Sequence, residues 1–555
     1  MEKSRRRSRK KKSSNFIIQG SILAVTSIIV RLIGILYRIP LINIIGDEGM
    51  GYYNTAFNIY SIMLLLSSYS LPLAVSKMIA FRMAREQYSN AQRILRASLF
   101  YATVVGGIGA AITWFGADYI ASELFVMPMC VYALKTLAPT VWIMAYLGVY
   151  RGYFQGLGTM VPTSFSQVFE QIINAIISVT AAAALFQYGL KANLVYEAAD
   201  YPYAFGAAGS TIGTGAGALT ALLFLLFLMG SYRKVIKRQV HRDVTKRMES
   251  YGQITKILCL TVVPVILSTA VYNVSTIIDN GMFGKCMEKL GQGKEYIALW
   301  GIYSGKYRLL TNVPMAISNA LSSSLIPALS RAVASKNRGQ ISSRISMAIR
   351  FAMVVAIPAT VGLTVLAGPV HGLLFSGDNA LSIKMTIVGS TAVVFFSLST
   401  VTNAVLQGIN HMKLPIRNSL ISLVLHVICL WVMMMVFHWG IYSVVYSNIL
   451  FGFFMCILNG FSIRHCLHYR QEVLKTFVLP TIASGIMGAA AYGTYRLVHM
   501  VVASNAVGTL AAMAVAVIVY GILLIKLRCI DEVELYGMPG GAKMVRVAHK
   551  LHLLS

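Results

Sequence analysis

The chain has 555 residues, of which 57% are hydrophobic and only 12% are charged, and its mean hydropathy is +0.67. This composition is typical of a polytopic membrane protein and does not fit a soluble globular domain. The formal net charge of +29 lies in short clusters between long apolar runs, so we expect no nucleic-acid partner.

The chain begins with a basic arm, residues 1–14, which is followed by a long apolar run. The run is longer than the apolar core of a signal peptide, about 7 to 15 residues, and no small-x-small cleavage site follows it. We therefore expect a retained first helix. The arm is predicted to act as a topology signal and to contact anionic membrane lipids.

Length and hydropathy predict fourteen membrane-spanning helices, each with about 20 apolar residues. Their expected ranges are 15–45, 52–76, 92–116, 127–155, 162–188, 204–231, 255–283, 298–328, 345–375, 382–408, 417–438, 440–463, 473–498 and 504–527. Lysine and arginine are concentrated in alternate loops, such as 77–96, 233–247 and 331–344, whereas loops such as 118–123 carry carboxylates. By the positive-inside rule, we expect a multi-pass protein of the cell membrane with both termini in the cytoplasm.

The sequence contains an internal repeat. Pro72 in "LPLAVSK" has a counterpart in Pro327 of "IPALSRA", and "QGLGTMVP" from Gln155 has a counterpart in "QGINHMKLP" from Gln407. Both pairs are separated by about 250 residues and follow in the same order, as in a duplicated unit. The alternative is chance similarity between membrane-interface segments, which share composition. We predict a duplicated six-helix unit, inserted the same way up, with two helices added.

This repeat predicts an all-α polytopic membrane protein with two six-helix lobes. Its parts are a basic cytoplasmic arm (1–14), an N-lobe (15–231), a basic cytoplasmic linker (232–254), a C-lobe (255–463), two further helices (464–528) and a cytoplasmic tail (529–555). Transporters with parallel repeats often place their substrate between the halves and alternate access by rocking.

Four cationic side chains fall inside predicted helices. Arg31 and Arg38 lie nearly two turns apart on one face of the first, and Lys306 and Arg308 lie partway along the eighth. A charge at a helix centre costs about 2.5 to 3.5 kcal/mol and is kept mainly where it faces protein or water. Guanidinium groups match phosphate oxygens bidentately, so the four residues predict a binding site for an anion. The alternatives are that Arg38 and Lys306 snorkel to the interface, or that the arginines form internal ion pairs.

Glu170 and Asp279 are the carboxylates with which those arginines would pair. Glu170 lies about two turns inside the fifth helix, and it is either a counter-ion or a group that binds a proton or cation during transport. Asp279 is expected at the outer end of its helix, and His426 is expected to be a packing residue. Seven cysteines are scattered singly, without histidine clusters, so no disulfide framework, metal site or cofactor is predicted.

Several segments resemble the multidrug/oligosaccharidyl-lipid/polysaccharide (MOP) exporter superfamily. They are "IGDEGMGYYNTAFNIYSI" after the first helix, "QGLGTMVPTSFSQVFEQI" and "GIYSGKYRLLTNVP". Together with the helix count, they look like Gram-positive polysaccharide exporters of the stage V sporulation protein B type and MurJ-type lipid II flippases. The resemblance covers nearly the whole chain.

The resemblance implies a V-shaped pair of lobes that moves an undecaprenyl-diphosphate-linked saccharide to the outer leaflet by alternating access. In such flippases, arginines of the first and eighth helices line the cavity, which assigns Arg31, Arg38 and Arg308 to the diphosphate. The sequence departs from Gram-negative lipid II flippases, because residues 52–76 contain neither arginine nor aspartate. A lipid-linked oligosaccharide is therefore expected, with lipid II and other polysaccharide units both open, and cell-wall synthesis machinery is a candidate partner.

We expect a transporter rather than an enzyme, with no catalytic residues. A cation-coupled multidrug exporter is the alternative within transport, and its cavity would favour acidic residues. A membrane glycosyltransferase or polymerase would need acidic metal ligands and a large extramembrane loop, and neither is visible in the sequence. The membrane potential, H+ and Na+ remain open as coupling forces.

Overall fold

The architecture comes from a computed structural model, which describes residues 26–196, 200–241, 243, 248–293, 295–334, 338–469, 471–527 and 529. Several predicted parts lie wholly or partly outside these residues. They are the basic arm at 1–14, the start of the helix at 15–45, part of the linker at 232–254 and nearly all of the tail at 529–555.

Helices make up nearly all of the described chain, and no strand occurs in those residues. The helices up to residue 301 are α1 (Thr26–Leu36), α2 (Arg38–Ser67), α3 (Leu71–Met83), α4 (Tyr88–Phe115), α5 (Ala117–Tyr119), α6 (Val131–Gly156), α7 (Val161–Tyr196), α8 (Tyr201–His241), α9 (Tyr251–Lys289) and α10 (Tyr296–Gly301). After a π-helical segment (Ile302–Tyr307) follow α11 (Arg308–Ala334), α12 (Arg338–Val365), α13 (Ala367–Leu374), α14 (Ala380–Gly389), α15 (Thr391–Gly408), α16 (Lys413–Met435), α17 (Ile441–Leu467), α18 (Leu479–Val502) and α19 (Asn505–Lys526).

The predicted all-α membrane class is confirmed. Among the described residues, 11 helical stretches are long and apolar enough to cross a membrane, so the count of fourteen stays a prediction. The main departure lies near the N-terminus, where α2 continues across the predicted loop and the predicted helix at 52–76 is divided between α2 and α3. Gly46, with φ 69° and ψ −174°, bends α2 without ending it, and glycine adopts this positive φ without a steric penalty.

The chain divides into two compact units, Met1–Gly301 (unit 1) and Ile302–Ser555 (unit 2). The division lies inside the predicted eighth helix. Helices α9 and α10 therefore pack with unit 1, although the sequence places them in the second repeat.

Unit 1 has an apolar core between α3, α4, α6 and α9, where Ile79, Ile94 and Leu258 are fully buried. Unit 2 has a corresponding core between α11, α12 and α15, which includes Leu329 and Ile345. Burial of such aliphatic side chains is the main stabilising contact between the helices of each unit.

Helices α2 and α10 cross at two glycines within unit 1. Gly51 of α2 lies against the carbonyl oxygen of Ile297, and Gly301 of α10 lies against the carbonyl oxygen of Asp47. A Cβ atom at either glycine would overlap that oxygen. The close approach of the two backbones therefore requires glycine at both positions.

The helix ends that carry the repeated motif have the same geometry. At the end of α6, the N–H groups of Leu157 and Gly158 donate to the carbonyls four and three residues earlier, at 3.0 and 2.9 Å. At the end of α15, Ile409 and Asn410 do the same, at 3.0 Å each. Gly158 and Asn410 both have positive φ, 86° and 64°. The shared turn supports the predicted duplication.

The helices that carry these motifs also pack alike in the two units. Gly156 of α6 lies against Ile79 of α3, and Gly408 of α15 lies against Leu329 of α11. Each glycine allows close packing against a helix that contains the other repeated motif, with Pro72 or its counterpart. The two motifs of each repeat are therefore neighbours in space.

Candidate functional site

Arg31 and Arg38 lie on either side of Tyr37, whose backbone keeps helical angles (φ −72°, ψ −21°). Arg31 is exposed, whereas Arg38 is half-buried. The guanidinium carbon of Arg38 is 5.9 Å from the ring centroid of Tyr53 and 5.6 Å from that of Phe57. The hydroxyls of Tyr37 and Tyr53 are 3.1 Å apart. Aromatic faces attract a guanidinium, so these neighbours fix the position of Arg38.

Lys306 lies in the π-helical segment, and Arg308 begins α11. Lys306 is 3% exposed, so its side chain does not extend to the surface, and Arg308 is half-buried with its guanidinium carbon 6.0 Å from the ring centroid of Tyr303. The Tyr307 hydroxyl donates to the carbonyl oxygen of Gly389 at 3.0 Å, which anchors the segment on the end of α14. π-Helical turns within helices are frequent at functional sites.

The four predicted site cations are thus divided between the units. Arg31 and Arg38 belong to unit 1, whereas Lys306 and Arg308 belong to unit 2. In both units a tyrosine ring lies beside an arginine. A single site formed by all four residues stays a prediction.

Glu170 has a partner that the sequence did not indicate. Arg151 Nη2 donates to Glu170 Oε2 at 2.6 Å, and Arg151 Nε donates to Ser166 Oγ at 3.0 Å. The side chains of Arg151 and Glu170 are 10% and 23% exposed, so the ion pair is mostly buried. Two roles were left open for Glu170, counter-ion and coupling group, and the ion pair with Arg151 supports the first. That partner lies in α6 rather than in the first or eighth predicted helix.

Arg151 was not among the candidate site residues predicted from the sequence, although it is buried and its side chain contacts α7 within unit 1. Helices α6 and α7 are joined by a short turn at 157–160 and are neighbours in the chain. Arg151 precedes this turn and Glu170 follows it by only a few helical turns, so an antiparallel hairpin brings them to similar depth. Arg151 lies five residues before the end of α6 and Glu170 lies nine residues after the start of α7, a difference of about one helical turn, and this proximity to a shared turn is the signal that could have identified the pair.

Asp279 is buried within α9, which continues to Lys289, and so does not lie at the helix end where it was expected. The next residue, Asn280, connects three helices. Its Nδ2 donates to Thr55 Oγ1 of α2 at 2.8 Å, and its Oδ1 accepts from the Tyr296 hydroxyl of α10 at 2.5 Å. This polar cluster has no sequence motif, because its members come from distant parts of the chain.

His426 is buried in α16, and its Nδ1 lies 2.8 Å from the carbonyl oxygen of Ser447. Its ring packs 5.4 Å from the ring of Phe451. These contacts match a packing role. Within the part of the chain that the structure describes, no group of three or more His, Cys, Asp or Glu residues could hold a metal ion.

Residues 17–333, more than half of the chain, match the family described as polysaccharide biosynthesis protein. The chain belongs to this family. Residues 264–432 also match the MatE family. The predicted relation to the MOP exporter superfamily is therefore confirmed, since both families are matched by one chain.

Two relatives from Bacillus subtilis match most of the length of the chain. Lipid II flippase MurJ of Bacillus subtilis (strain 168) is 24% identical over 499 residues, which cover 86% of this chain and 88% of the relative. Stage V sporulation protein B of the same organism is 24% identical over 525 residues, which cover 93% and 96%. Among solved structures, an inward-facing multidrug resistance MATE family transporter of the MOP superfamily has a TM-score of 0.61 and 15% identity, covering 79% of this chain and 94% of that one. At this identity, the structural likeness shows the fold alone.

Proposed function

We propose that this protein is a flippase that moves an undecaprenyl-diphosphate-linked saccharide across the cytoplasmic membrane by alternating access. The proposal is supported by similarity to Lipid II flippase MurJ over 86% of the chain and to Stage V sporulation protein B over 93%. Lipid II and another polysaccharide unit fit equally, because both present a diphosphate to the protein. An enzyme that consumes the exported lipid-linked saccharide is the expected class of partner.

The observation that carries the proposal is the balance of charge within the apolar helices. Unit 1 contributes the cations Arg31 and Arg38, and unit 2 contributes Lys306 and Arg308. The carboxylate of Glu170 is already neutralised in an ion pair. These four cations are in excess even when the buried carboxylate of Asp279 is counted, which suits an anionic headgroup. Guanidinium groups bind the oxygens of a diphosphate with parallel hydrogen bonds.

Outward movement of such a headgroup has a driving force in an inside-negative membrane potential. Each elementary negative charge that crosses outward gains about 2.3 kcal/mol per 100 mV. A proton or sodium gradient could act in addition through a carboxylate. Glu170 is the candidate, and its pairing with Arg151 means that a coupling ion would have to compete with a guanidinium.

A cation-coupled multidrug exporter is the second candidate, favoured by the MatE match at residues 264–432. Such a protein needs carboxylates that can meet a cationic drug. The ion pair of Glu170 with Arg151 removes one of the few membrane-embedded carboxylates from that role. A membrane glycosyltransferase would need acidic metal ligands, which the described residues do not group together.

The distinguishing experiment is translocation in proteoliposomes that contain the full chain. We expect transfer of a fluorescent undecaprenyl-diphosphate saccharide between leaflets, accelerated when the potential favours movement of the anion, and no uptake of ethidium or a similar cationic drug. Vesicles containing protein denatured before reconstitution provide the control. Cation uptake without lipid transfer would replace the proposal with the multidrug exporter.

A further inference from the structure

Unit 1 contains a second cationic region, which shares no residue with those assigned to transport. A cavity of about 600 Å³ lies between α4 and the last turns of α8. Cations line it from both helices, namely Arg96 of α4 and Arg233 and Lys237 of α8, while Met229 and Ile236 belong to its apolar wall. The cavity therefore combines an apolar wall with a cluster of positive charge.

The basic residues of α8 that line the cavity are close to one another because of their spacing in the helix. Arg233, Lys237 and His241 are separated by four residues, so they lie on one helix face above one another. Like charges at this spacing destabilise a helix unless an anion lies between them. Within the described parts of the chain, no carboxylate forms an ion pair with Arg96, Arg233 or Lys237.

The acidic residues that follow α8 are directed to other partners. Asp243 accepts hydrogen bonds from the backbone N–H groups of Tyr88 and Ser89, at 3.1 and 3.2 Å, and so caps the start of α4. Glu249 forms an ion pair with Arg82. The chain after α8 is thus held beside α4 while its carboxylates are engaged outside the cavity.

In unit 2, an arginine of the corresponding helix is paired with a carboxylate of the protein itself. A cavity of about 470 Å³ between α12, α15 and α17 is lined by Tyr469 and Phe477, from the segment that leaves α17. From the same segment, Glu472 accepts a hydrogen bond from Arg350 of α12 at 2.5 Å. By the internal repeat, α12 and α17 correspond to α4 and α8. Arg350 of unit 2 is therefore paired with a carboxylate of the protein, whereas no carboxylate among the described residues pairs with Arg96, its counterpart in unit 1.

We propose that the cavity between α4 and α8 binds an anionic phospholipid of the bilayer. The phosphate lies among Arg96, Arg233 and Lys237, and an acyl chain lies on the wall formed by Met229 and Ile236. The apolar wall favours a lipid over free phosphate. The cavity also lies where the apolar run "LLFLLFLMG" of α8 gives way to "SYRKVIKR", which is the position of a membrane interface. This site shares no residue with the proposed transport site, and the proposal does not depend on the identity of the cargo.

The test is lipid binding by native mass spectrometry of the full chain in neutral detergent, titrated with dioleoylphosphatidylglycerol or dioleoylphosphatidylcholine. Arg233→Gln/Lys237→Gln removes two cavity cations. Lys234→Gln/Arg238→Gln removes one lysine and one arginine of the same helix that are equally exposed but do not line the cavity, so it is a control with the same change in charge. Each interfacial cation strengthens binding of an anionic lipid about fivefold, so we expect phosphatidylglycerol to bind the cavity variant about 25-fold more weakly and the control less than threefold more weakly.

Equal losses in the two variants would show diffuse attraction and overturn the proposal. Equal binding of phosphatidylcholine by the parent protein would also overturn it. Displacement of phosphatidylglycerol by glycerol phosphate at equal concentration would assign the site to a free phosphate. If undecaprenyl phosphate displaces it and phosphatidylglycerol cannot compete in return, the cavity belongs to the transported lipid instead.

Discussion

The ion pair between Arg151 and Glu170 is expected to contribute substantially to the stability of unit 1. Breaking a buried ion pair costs about 3 to 5 kcal/mol, because one charge is left buried without its partner. Glu170 is 23% exposed, so we expect less, about 2 kcal/mol, for Glu170→Gln, which keeps an acceptor for the 2.6 Å hydrogen bond. Arg151→Gln should cost about 3 kcal/mol, since it also removes the hydrogen bond to Ser166 and leaves the carboxylate unpaired.

The assay is a double-mutant cycle on the free energy of unfolding in mixed micelles. We expect a coupling energy of about 2 kcal/mol between Arg151 and Glu170. The exposed pair of Lys135 and Asp118, 37% and 72% exposed, provides the control and should give about 0.5 kcal/mol or less, because solvent screens it. A coupling energy for Arg151 and Glu170 no larger than that of the control pair would refute the assignment of Glu170 as a buried counter-ion.

Three further outcomes follow from other parts of the structure. Glu170→Gln, reconstituted at the same level of folded protein, should transfer lipid with the same response to pH and to a sodium gradient as the parent protein, because its carboxylate is engaged by Arg151; loss of either response would make the carboxylate the coupling group. Gly301→Ala should lower stability by about 1 to 3 kcal/mol, because its Cβ would overlap a carbonyl oxygen of α2, whereas Gly252→Ala, in open space, should leave the melting temperature unchanged or slightly raised. In intact cells that express the protein without its native cysteines, Asp378→Cys should react with an impermeant maleimide. Glu86→Cys should react only after permeabilisation, and the reverse pattern would invert the predicted topology.

Hydropathy was sufficient to predict the helical class, and two matched sequence motifs predicted the repeat. The repeat could be found because its turn has local requirements, with a residue of positive φ at Gly158 and at Asn410. Helix bounds near the N-terminus were less accurate, because Gly46 bends α2 without ending it. A glycine in sequence does not show whether the helix continues beyond it.

The candidate site was predictable in its residue types but not in its pairings. Arg38, Lys306 and Glu170 could be identified because each is a charged residue inside a predicted membrane helix, where a charge is costly. The aromatic neighbours of Arg38 and the partner of Glu170 depend on which helices pack together. The π-helical segment that contains Lys306 depends on tertiary contacts such as the hydrogen bond from Tyr307 to Gly389, so no local sequence rule predicts it.

Binding of undecaprenyl diphosphate by the purified protein tests the central claim most directly. We expect Arg31→Ala and Arg308→Ala each to weaken binding about 10- to 100-fold, because each loses charge-assisted hydrogen bonds to the diphosphate, while protein level and membrane insertion remain unchanged. Lysine at either position should restore part of the affinity, since it keeps the charge but not the planar fork. If both alanine variants bind the diphosphate as tightly as the parent protein, the arginines do not form its binding site.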